Sequence, residues 1–92
     1  MTYWVLFYEV VADHVERRKP FREAHLELLH EFHDRGELLL AGALADPVDS
    51  AILVFMGDDA SVVERFVKED PYVREGLVTA WTIRKWSVVV GP

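Results

Sequence analysis

Two residues of this sequence have side chains suited to acid–base chemistry and fall where a fold can bring them together. His25 lies in the segment 20–35, PFREAHLELLHEFHDR, and Asp70 stands immediately before Pro71. An aspartate that accepts one ring N–H of a histidine fixes the tautomer and leaves the other ring nitrogen able to exchange a proton. We interpret the two residues as a candidate catalytic pair. The alternative is that His25 is a core residue bonded to a backbone carbonyl and that Asp70 only ends a helix.

The segment around His25 predicts an amphipathic helix. At about 100° per residue, one face consists of Phe21, His25, Leu28, Leu29 and Phe32. A capping box of Asp13 and Glu16 predicts a first helical turn before Pro20, which either kinks the helix or opens its main segment. Gly36 is the expected end of the helix. Because the other members of this face are large and apolar, the histidine lies either in the core or on the floor of a site.

The remaining elements follow from β-branched, aromatic, glycine and proline positions. The predicted strands are 3–11, 37–45, 51–56 and 78–90. A second helix is predicted at 61–69, opened by a capping box of Ser61 and Glu64 and closed before Pro71. The order β-α-β-β-α-β predicts a single α+β domain over residues 1–92, ferredoxin-like, with a four-stranded antiparallel sheet and both helices on one face.

Two connections and one glycine are also predicted. A turn is expected at 46–50 and a loop at 72–77, with Gly76 as the turn residue of the loop. Gly42 inside the second strand indicates a bulge or a place where another group approaches the backbone.

All four predicted strands are apolar on both faces, although helices cover only one face of such a sheet. The chain has 92 residues, of which 51% are hydrophobic. An exposed apolar sheet face usually marks an interface, so we expect a homodimer through the open face, a dimeric α/β barrel-like assembly. The alternative is a monomer with scattered surface apolar residues, which is common.

The charge balance and the absence of cysteine limit partners and compartment. Sixteen acidic against ten basic residues give a net charge of −6, which disfavours nucleic acid as a partner. The N-terminal segment lacks the basic region and cleavage site of a signal peptide, and no apolar run approaches a membrane span. Small secreted domains usually need disulfides, so we expect a cytoplasmic protein that does not act at a membrane.

Other kinds of catalytic site find no support in the sequence. His30 and His33 stand three residues apart, but no motif supplies a third metal ligand. The glycines are too scattered for a phosphate-binding loop, and no serine lies in a nucleophile elbow. Nothing resembles a nicotinamide or flavin fingerprint. We therefore predict no metal and no cofactor.

Short motifs in order along nearly the whole chain resemble those of the YciI-like, or YCII-related, proteins. They are Arg18, REAHL at 22–26, GELLLAG at 36–42, and Asp70-Pro71-Tyr72 followed by Gly76. The resemblance implies a dimeric α+β fold with a pocket that contains a catalytic histidine and aspartate, here His25 and Asp70. The pocket neighbours that it implies are Arg22, Gly42, Ser50 and Tyr72.

The resemblance also implies a class of chemistry. One type of member eliminates hydrogen chloride from a chlorinated hydroquinone, and related ferredoxin-like dimers include muconolactone isomerases. This chain departs from the commoner pattern, because Ala43-Leu44 follows Gly42 where many members have a proline, and the turn at 46–50 is short. A shorter turn is expected to leave the pocket less covered.

The leading hypothesis is a lyase or isomerase that acts on a small cyclic or aromatic oxygenated compound and needs no cofactor. His25 moves the proton, Asp70 orients the imidazole, and Arg18 or Arg22 steers an anionic substrate. Two alternatives stay open. One is a non-catalytic small-molecule-binding or dimerisation module, and the other is a relative of heme- or quinone-type monooxygenases on the same fold.

Overall fold

The computed structural model describes residues 2–92, in which four strands alternate with short and long helices. The elements are β1 (Thr2–Val10), α1 (His14–Arg17), a 3-10 turn (Lys19–Phe21), α2 (Arg22–Asp34), β2 (Leu38–Ala43), β3 (Ser50–Gly57), α3 (Ser61–Glu69), α4 (Pro71–Arg74) and β4 (Val78–Trp86). No helix in this part of the chain has both the length and the apolar character that crossing a membrane requires.

The strands form one antiparallel sheet in the order β2-β3-β1-β4. This order, together with two helical connections that pack on the same face, is the ferredoxin-like arrangement, and it confirms the predicted fold class. The central strand β1 pairs on both sides, with Leu6 opposite Leu53 of β3 and Ile83 of β4. A side chain of β1 that points toward the helices therefore lies near the middle of the domain.

The core lies between the sheet and the helices. Leu6 and Phe55 from the sheet and Phe32 and Phe66 from the helices are almost completely buried. The rings of Phe32 and Phe66 meet edge to face with centroids 5.3 Å apart, an arrangement that aromatic pairs favour. Because successive strand residues alternate between faces, Tyr8 lies with Leu6 on the helix side of the sheet. Its phenol ring is therefore buried between the sheet and the helices, where the candidate site lies.

The ends of the helices differ from the predicted capping boxes. Asp13 makes no side-chain cap bond, and its carboxylate lies 3.9 Å from the guanidinium of Arg17 instead. At the start of α3 the Ser61 N–H donates to the carboxylate of Asp59, so the capping acceptor is two residues upstream of the predicted one. Gly36, at a φ of +79°, follows the end of α2 as predicted.

The sequence prediction was wrong at three further points. The expected loop at 72–77 begins with the short helix α4, because the Asp70 carboxylate caps its first turn. The irregularity in β2 falls between Leu38 and Leu40, whereas Gly42 pairs regularly with Ile52. The last strand ends at Trp86 rather than at residue 90, so the following segment has no strand partner among the described residues.

Candidate active site

The structure brings His25 and Asp70 together, as the sequence predicted. His25 lies on the buried face of α2, and Asp70 occupies the corner between α3 and α4, where Pro71 forces an extended backbone. The distance from Nδ1 of His25 to Oδ1 of Asp70 is 2.7 Å. This is within hydrogen-bond reach for a charge-assisted contact. The catalytic role of the pair stays a prediction.

The carboxylate of Asp70 is completely buried and accepts three hydrogen bonds. Oδ1 accepts from His25 Nδ1 and from the backbone N–H of Tyr72 at 3.0 Å, while Oδ2 accepts from the hydroxyl of Tyr8 at 2.8 Å. A buried carboxylate is costly unless its oxygens are bonded, and three donors satisfy that requirement. An ionised carboxylate only accepts, so the His25 proton that faces it sits on Nδ1.

This assignment leaves Nε2 as the ring nitrogen of His25 that is available to a ligand. Nε2 makes no hydrogen bond within residues 2–92, and the imidazole forms part of the wall of a cavity. With the proton on Nδ1, the neutral ring presents a lone pair at Nε2, and the imidazolium presents an N–H there. The arrangement can therefore accept a proton from a ligand or donate one to it.

Tyr8 is a site residue that the sequence reasoning missed. Its side chain is 2% exposed, and Asp70 is the partner of its hydroxyl. Burial raises the pKa of Tyr8 strongly, and the charge of Asp70 and the hydrogen bond to it raise it further, so the hydroxyl keeps its proton. The available signal was a tyrosine on the inward face of β1, because a buried phenol needs a partner.

Tyr72 places its ring directly on the imidazole of His25. The ring centroids lie 3.7 Å apart, and the planes are 9° from parallel. His14 meets the same tyrosine edge-on, with centroids 5.1 Å apart. Tyr72 therefore fixes the plane of the His25 ring and also contacts His14.

A cavity of about 270 Å³ opens beside this cluster, between the helices and β2 and β3. Its polar and aromatic wall consists of Tyr8, His14, Arg18, Arg22, His25 and Tyr72. Aliphatic side chains such as Leu26, Leu29 and Leu53 form the rest. Among the described lining residues the two arginines supply charge and no acid does, and neither arginine forms an ion pair with residues 2–92. The cavity therefore favours an anion.

Two buried polar atoms at the cavity wall lack a hydrogen-bond partner within the described chain. They are Nδ1 of His14 and the hydroxyl of Tyr72, in side chains that are each 4% exposed. Burial lowers the pKa of His14, and the nearby Arg18 lowers it further, so this ring is neutral at pH 7. Burial raises the pKa of Tyr72 and outweighs the lowering by Arg22, so the hydroxyl stays protonated.

Four of the other five predicted site residues line the cavity, and one does not. Arg18, Arg22 and Tyr72 line the cavity with His25, and Gly42 lines it through its backbone. The register puts the missing Cβ of Gly42 on the face of Ile52, away from the helices, where it would meet nothing within 4 Å. Ser50 does not line this cavity. Its hydroxyl donates to Asp49 at 3.2 Å, and the side chain borders a separate depression.

The histidines outside the cluster do not form a metal site. Within residues 2–92 no three histidine or acidic side chains lie close enough to hold a metal ion. The ring of His33 instead bonds the carbonyl of Leu38 through Nδ1, at 2.8 Å.

Comparisons with known proteins agree with this fold. The family model of the YCII-related domain matches residues 1–87. Protein YciI of Escherichia coli O6:H1 and that of Shigella flexneri are each 28% identical over 95 aligned residues, covering 94% of this chain and 97% of theirs.

The similar solved structures share the fold at low identity. The 5-chloro-2-hydroxyhydroquinone dehydrochlorinase of Burkholderia phenoliruptrix, in complex with 2,5-dihydroxybenzoquinone, superposes with a TM-score of 0.77 at 17% identity, covering 92% of this chain and 93% of that one. An antibiotic biosynthesis monooxygenase superposes with a TM-score of 0.59 at 11% identity, covering 98% and 100%.

Proposed function

The chain belongs to the YCII-related domain family, and we propose on this premise that it is an enzyme that moves a proton on a small, cyclic, oxygenated anion, as a lyase or an isomerase. The observation that carries the proposal is the 2.7 Å contact between His25 Nδ1 and Asp70 Oδ1, with Nε2 unbonded within residues 2–92 and the ring at the cavity wall. Acid–base catalysis needs a positioned group of this kind within reach of the substrate.

The proposed step begins with neutral His25. Nε2 takes a proton from the substrate, and Asp70 stabilises the imidazolium that forms. In an isomerase, Nε2 then returns the proton to a different atom of the same molecule. In a lyase, the leaving group departs with the electron pair of its own bond, and the proton goes to solvent. Neither course needs a cofactor.

The cavity supports a single-ring substrate. A volume of about 270 Å³ is below the range of roughly 300–1,000 Å³ typical of sites for drug-sized ligands. It exceeds the roughly 150 Å³ of an apolar cavity that binds benzene. Arg18 and Arg22 supply positive charge at the wall, and the aliphatic side chains suit the body of a ring. A small phenolate, enolate or ring carboxylate meets all three requirements.

The similarity to the dehydrochlorinase supports this substrate class and suggests a first probe. At 17% identity the similarity shows the fold alone, so it does not by itself assign the reaction of that enzyme to this chain. Its named substrate is a chlorinated, oxygenated single ring, which is of the size that this cavity favours.

We also propose that the protein is a homodimer that packs the open face of the sheet against a second copy. Phe7, Leu40 and Trp86 lie on that face and are 43%, 63% and 50% exposed. Large apolar residues that cluster on one uncovered face are typical of an interface. A second copy presents the same face, which is the self-complementary arrangement of a twofold dimer.

The test of the proposed function measures chemistry at His25. Purified protein is incubated with 5-chloro-2-hydroxyhydroquinone, and chloride release is followed. A panel of phenolic and cyclic keto acids is incubated in D₂O, and deuterium uptake is followed by NMR. We expect turnover of at least one compound and a loss of about 10²–10⁴-fold in His25→Gln. His30→Gln, on the exposed face of the same helix, is the matched control and keeps full activity.

The same experiment distinguishes a binding module. In that case a compound of the panel binds but is recovered unchanged after long incubation, and its affinity falls in Arg22→Gln but not in His25→Gln. This result would overturn the proposed enzyme.

A further inference from the structure

The hydroxyl of Tyr8 holds one oxygen of the buried carboxylate, and His25 is held by the other. Tyr8 donates to Oδ2 of Asp70 at 2.8 Å, and His25 bonds Oδ1 at 2.7 Å. Tyr8 belongs to β1, whereas His25 belongs to α2, so the two donors approach the carboxylate from the sheet and from the helix layer. Neither the chemistry of the pair nor the motifs of the sequence assign a role to Tyr8.

We propose that Tyr8 is a positioning residue of the site, which locks the carboxylate of Asp70 in the orientation that serves His25 and limits how strongly Asp70 binds the imidazole proton. This inference rests on the proposed function for its catalytic consequence, but its geometric part stands without it.

The Tyr8 hydroxyl helps to fix the orientation of the Asp70 carboxylate. A carboxylate can rotate and exchange its two oxygens unless each has its own donor. The Tyr72 N–H holds Oδ1 from the backbone of α4, and Tyr8 holds Oδ2 from the opposite side. Without the Tyr8 hydroxyl, Oδ2 is a buried acceptor with no partner among the described residues, and only the two donors to Oδ1 are left to hold the carboxylate.

The Tyr8 hydroxyl also stabilises the charge of the Asp70 carboxylate. A hydrogen bond to a carboxylate stabilises its negative charge and weakens its attraction for another proton. Because burial and the charge of Asp70 raise the pKa of Tyr8, the hydroxyl donates throughout the working pH range. Loss of this donor leaves the charge of the Asp70 carboxylate less stabilised, so the carboxylate attracts the imidazolium of His25 more strongly. The imidazolium then becomes more stable, and the ring releases its second proton at a higher pH.

Other charged and titratable groups surround His25. They must be the same in the wild-type protein and in any variant with which it is compared. Those that face the ring or the cavity beside it are Tyr8, His14, Arg18, Arg22, Asp70 and Tyr72. A Tyr8→Phe substitution removes one oxygen and leaves the rest in place, so a change in His25 reports the lost hydrogen bond.

The experiment is an NMR titration of the histidine side chains in the full-length protein. The wild-type protein, Tyr8→Phe and the control Tyr3→Phe, on the opposite face of β1, are compared between pH 4 and pH 9. We expect the His25 titration midpoint in Tyr8→Phe to rise by about 0.5–1 pH unit, a three- to tenfold gain in proton affinity. We also expect the Nδ1–H signal of His25 to broaden as the carboxylate gains freedom. Tyr3→Phe changes neither.

A second variant tests the same idea in the opposite direction and preserves the fold. Incorporation of 3-fluorotyrosine at position 8 keeps the ring and makes the hydroxyl a stronger donor, so the His25 midpoint should fall. An unchanged midpoint in both proteins would overturn the inference, even if Tyr8→Phe is less stable.

Activity separates this inference from the proposed function. If the chain is an enzyme, Tyr8→Phe lowers kcat by about three- to tenfold and moves the pH profile with the NMR midpoint, while KM changes less. If no substrate is found, the NMR result still decides the role of Tyr8. If His25→Gln abolishes turnover and Tyr8→Phe leaves both midpoint and kcat unchanged, only the Tyr8 inference fails.

Discussion

The imidazole of His25 lies flat on the phenol ring of Tyr72, with centroids 3.7 Å apart and planes 9° from parallel. The same tyrosine donates its backbone N–H to the carboxylate that holds the imidazole. One residue therefore fixes the tilt of His25 through its ring and the position of Asp70 through its backbone. The two contributions can be separated by substitution, because replacing Tyr72 changes its side chain and keeps its backbone N–H.

Replacing Tyr72 by phenylalanine and by leucine separates the stack from the hydroxyl. Tyr72→Phe keeps the stack and removes a buried hydroxyl that has no partner in residues 2–92, so the free energy of unfolding should change by less than about 1 kcal/mol. Tyr72→Leu removes the stack and should cost about 2 kcal/mol or more. Urea unfolding measures both. Equal losses in the two variants would show that the stack contributes nothing.

Asp70→Asn should damage both stability and proton transfer. The amide NH₂ cannot accept from Tyr8 or from His25 Nδ1–H, so one buried donor is left unpaired, and the cost should be about 3 kcal/mol or more. An amide also favours the wrong tautomer of His25, and turnover should fall by about 10³–10⁴-fold. Urea unfolding and steady-state kinetics measure the two effects. Asp58→Asn, on the surface before α3, should change neither.

His14 should make the protein less stable in mild acid. Burial and the charge of Arg18 lower its pKa in the folded state, whereas the unfolded chain titrates near pH 6.5. As the pH falls below about 6.5, the unfolded state binds the proton first, and the free energy of unfolding declines, by at most about 1.4 kcal/mol per pH unit. The decline stops below the folded-state pKa.

The measurement is the difference in unfolding free energy between wild type and His14→Phe from pH 8 to pH 5. Phenylalanine keeps the edge-on contact with Tyr72 and has no proton to bind. As the pH falls, the wild type should lose more unfolding free energy than His14→Phe does. A difference that stays constant with pH would contradict the shift.

A charge on the open sheet face should dissociate the proposed dimer. Phe7→Asp places a carboxylate among apolar residues of the interface, where its desolvation is costly. Light scattering after size exclusion should give twice the 10.6 kDa chain mass for the wild type and one chain mass for Phe7→Asp. Val15→Asp, at a side chain of similar exposure on α1, is the control and should remain dimeric. A wild-type protein that is monomeric at micromolar concentration would refute the dimer.

The fold and the His25–Asp70 contact could be predicted because both follow from patterns that the chain makes explicit. The helical period set His25 on the inward face of α2, and Pro71 set the corner that carries Asp70. The two helices of a split βαβ fold lie side by side, and this brought the two residues together. Periodicity thus sufficed where regular elements and a proline decided the geometry.

The rest of the cluster depends on tertiary contacts that no local pattern encodes. Tyr8 is one aromatic residue among several in β1, and only the packed structure shows which of them meets Asp70. His14 is buried because a short helix folds over Tyr72, although its neighbours in sequence, Asp13 and Val15, are exposed. Ser50 was implied by the resemblance alone, and the register of the hairpin turns it away from the cavity.

Two of the three donors to Asp70 come from segments that lie far from it along the chain. Tyr8 precedes Asp70 by 62 residues, and His25 precedes it by 45 residues. The candidate site therefore exists only when β1, α2 and α4 are docked at the same time, and any local opening that releases one of them dismantles it. The Tyr72 amide, which donates to the same carboxylate, can exchange with deuterium only during such openings. Its exchange rate consequently sets a lower limit on how often the protein is without an assembled site.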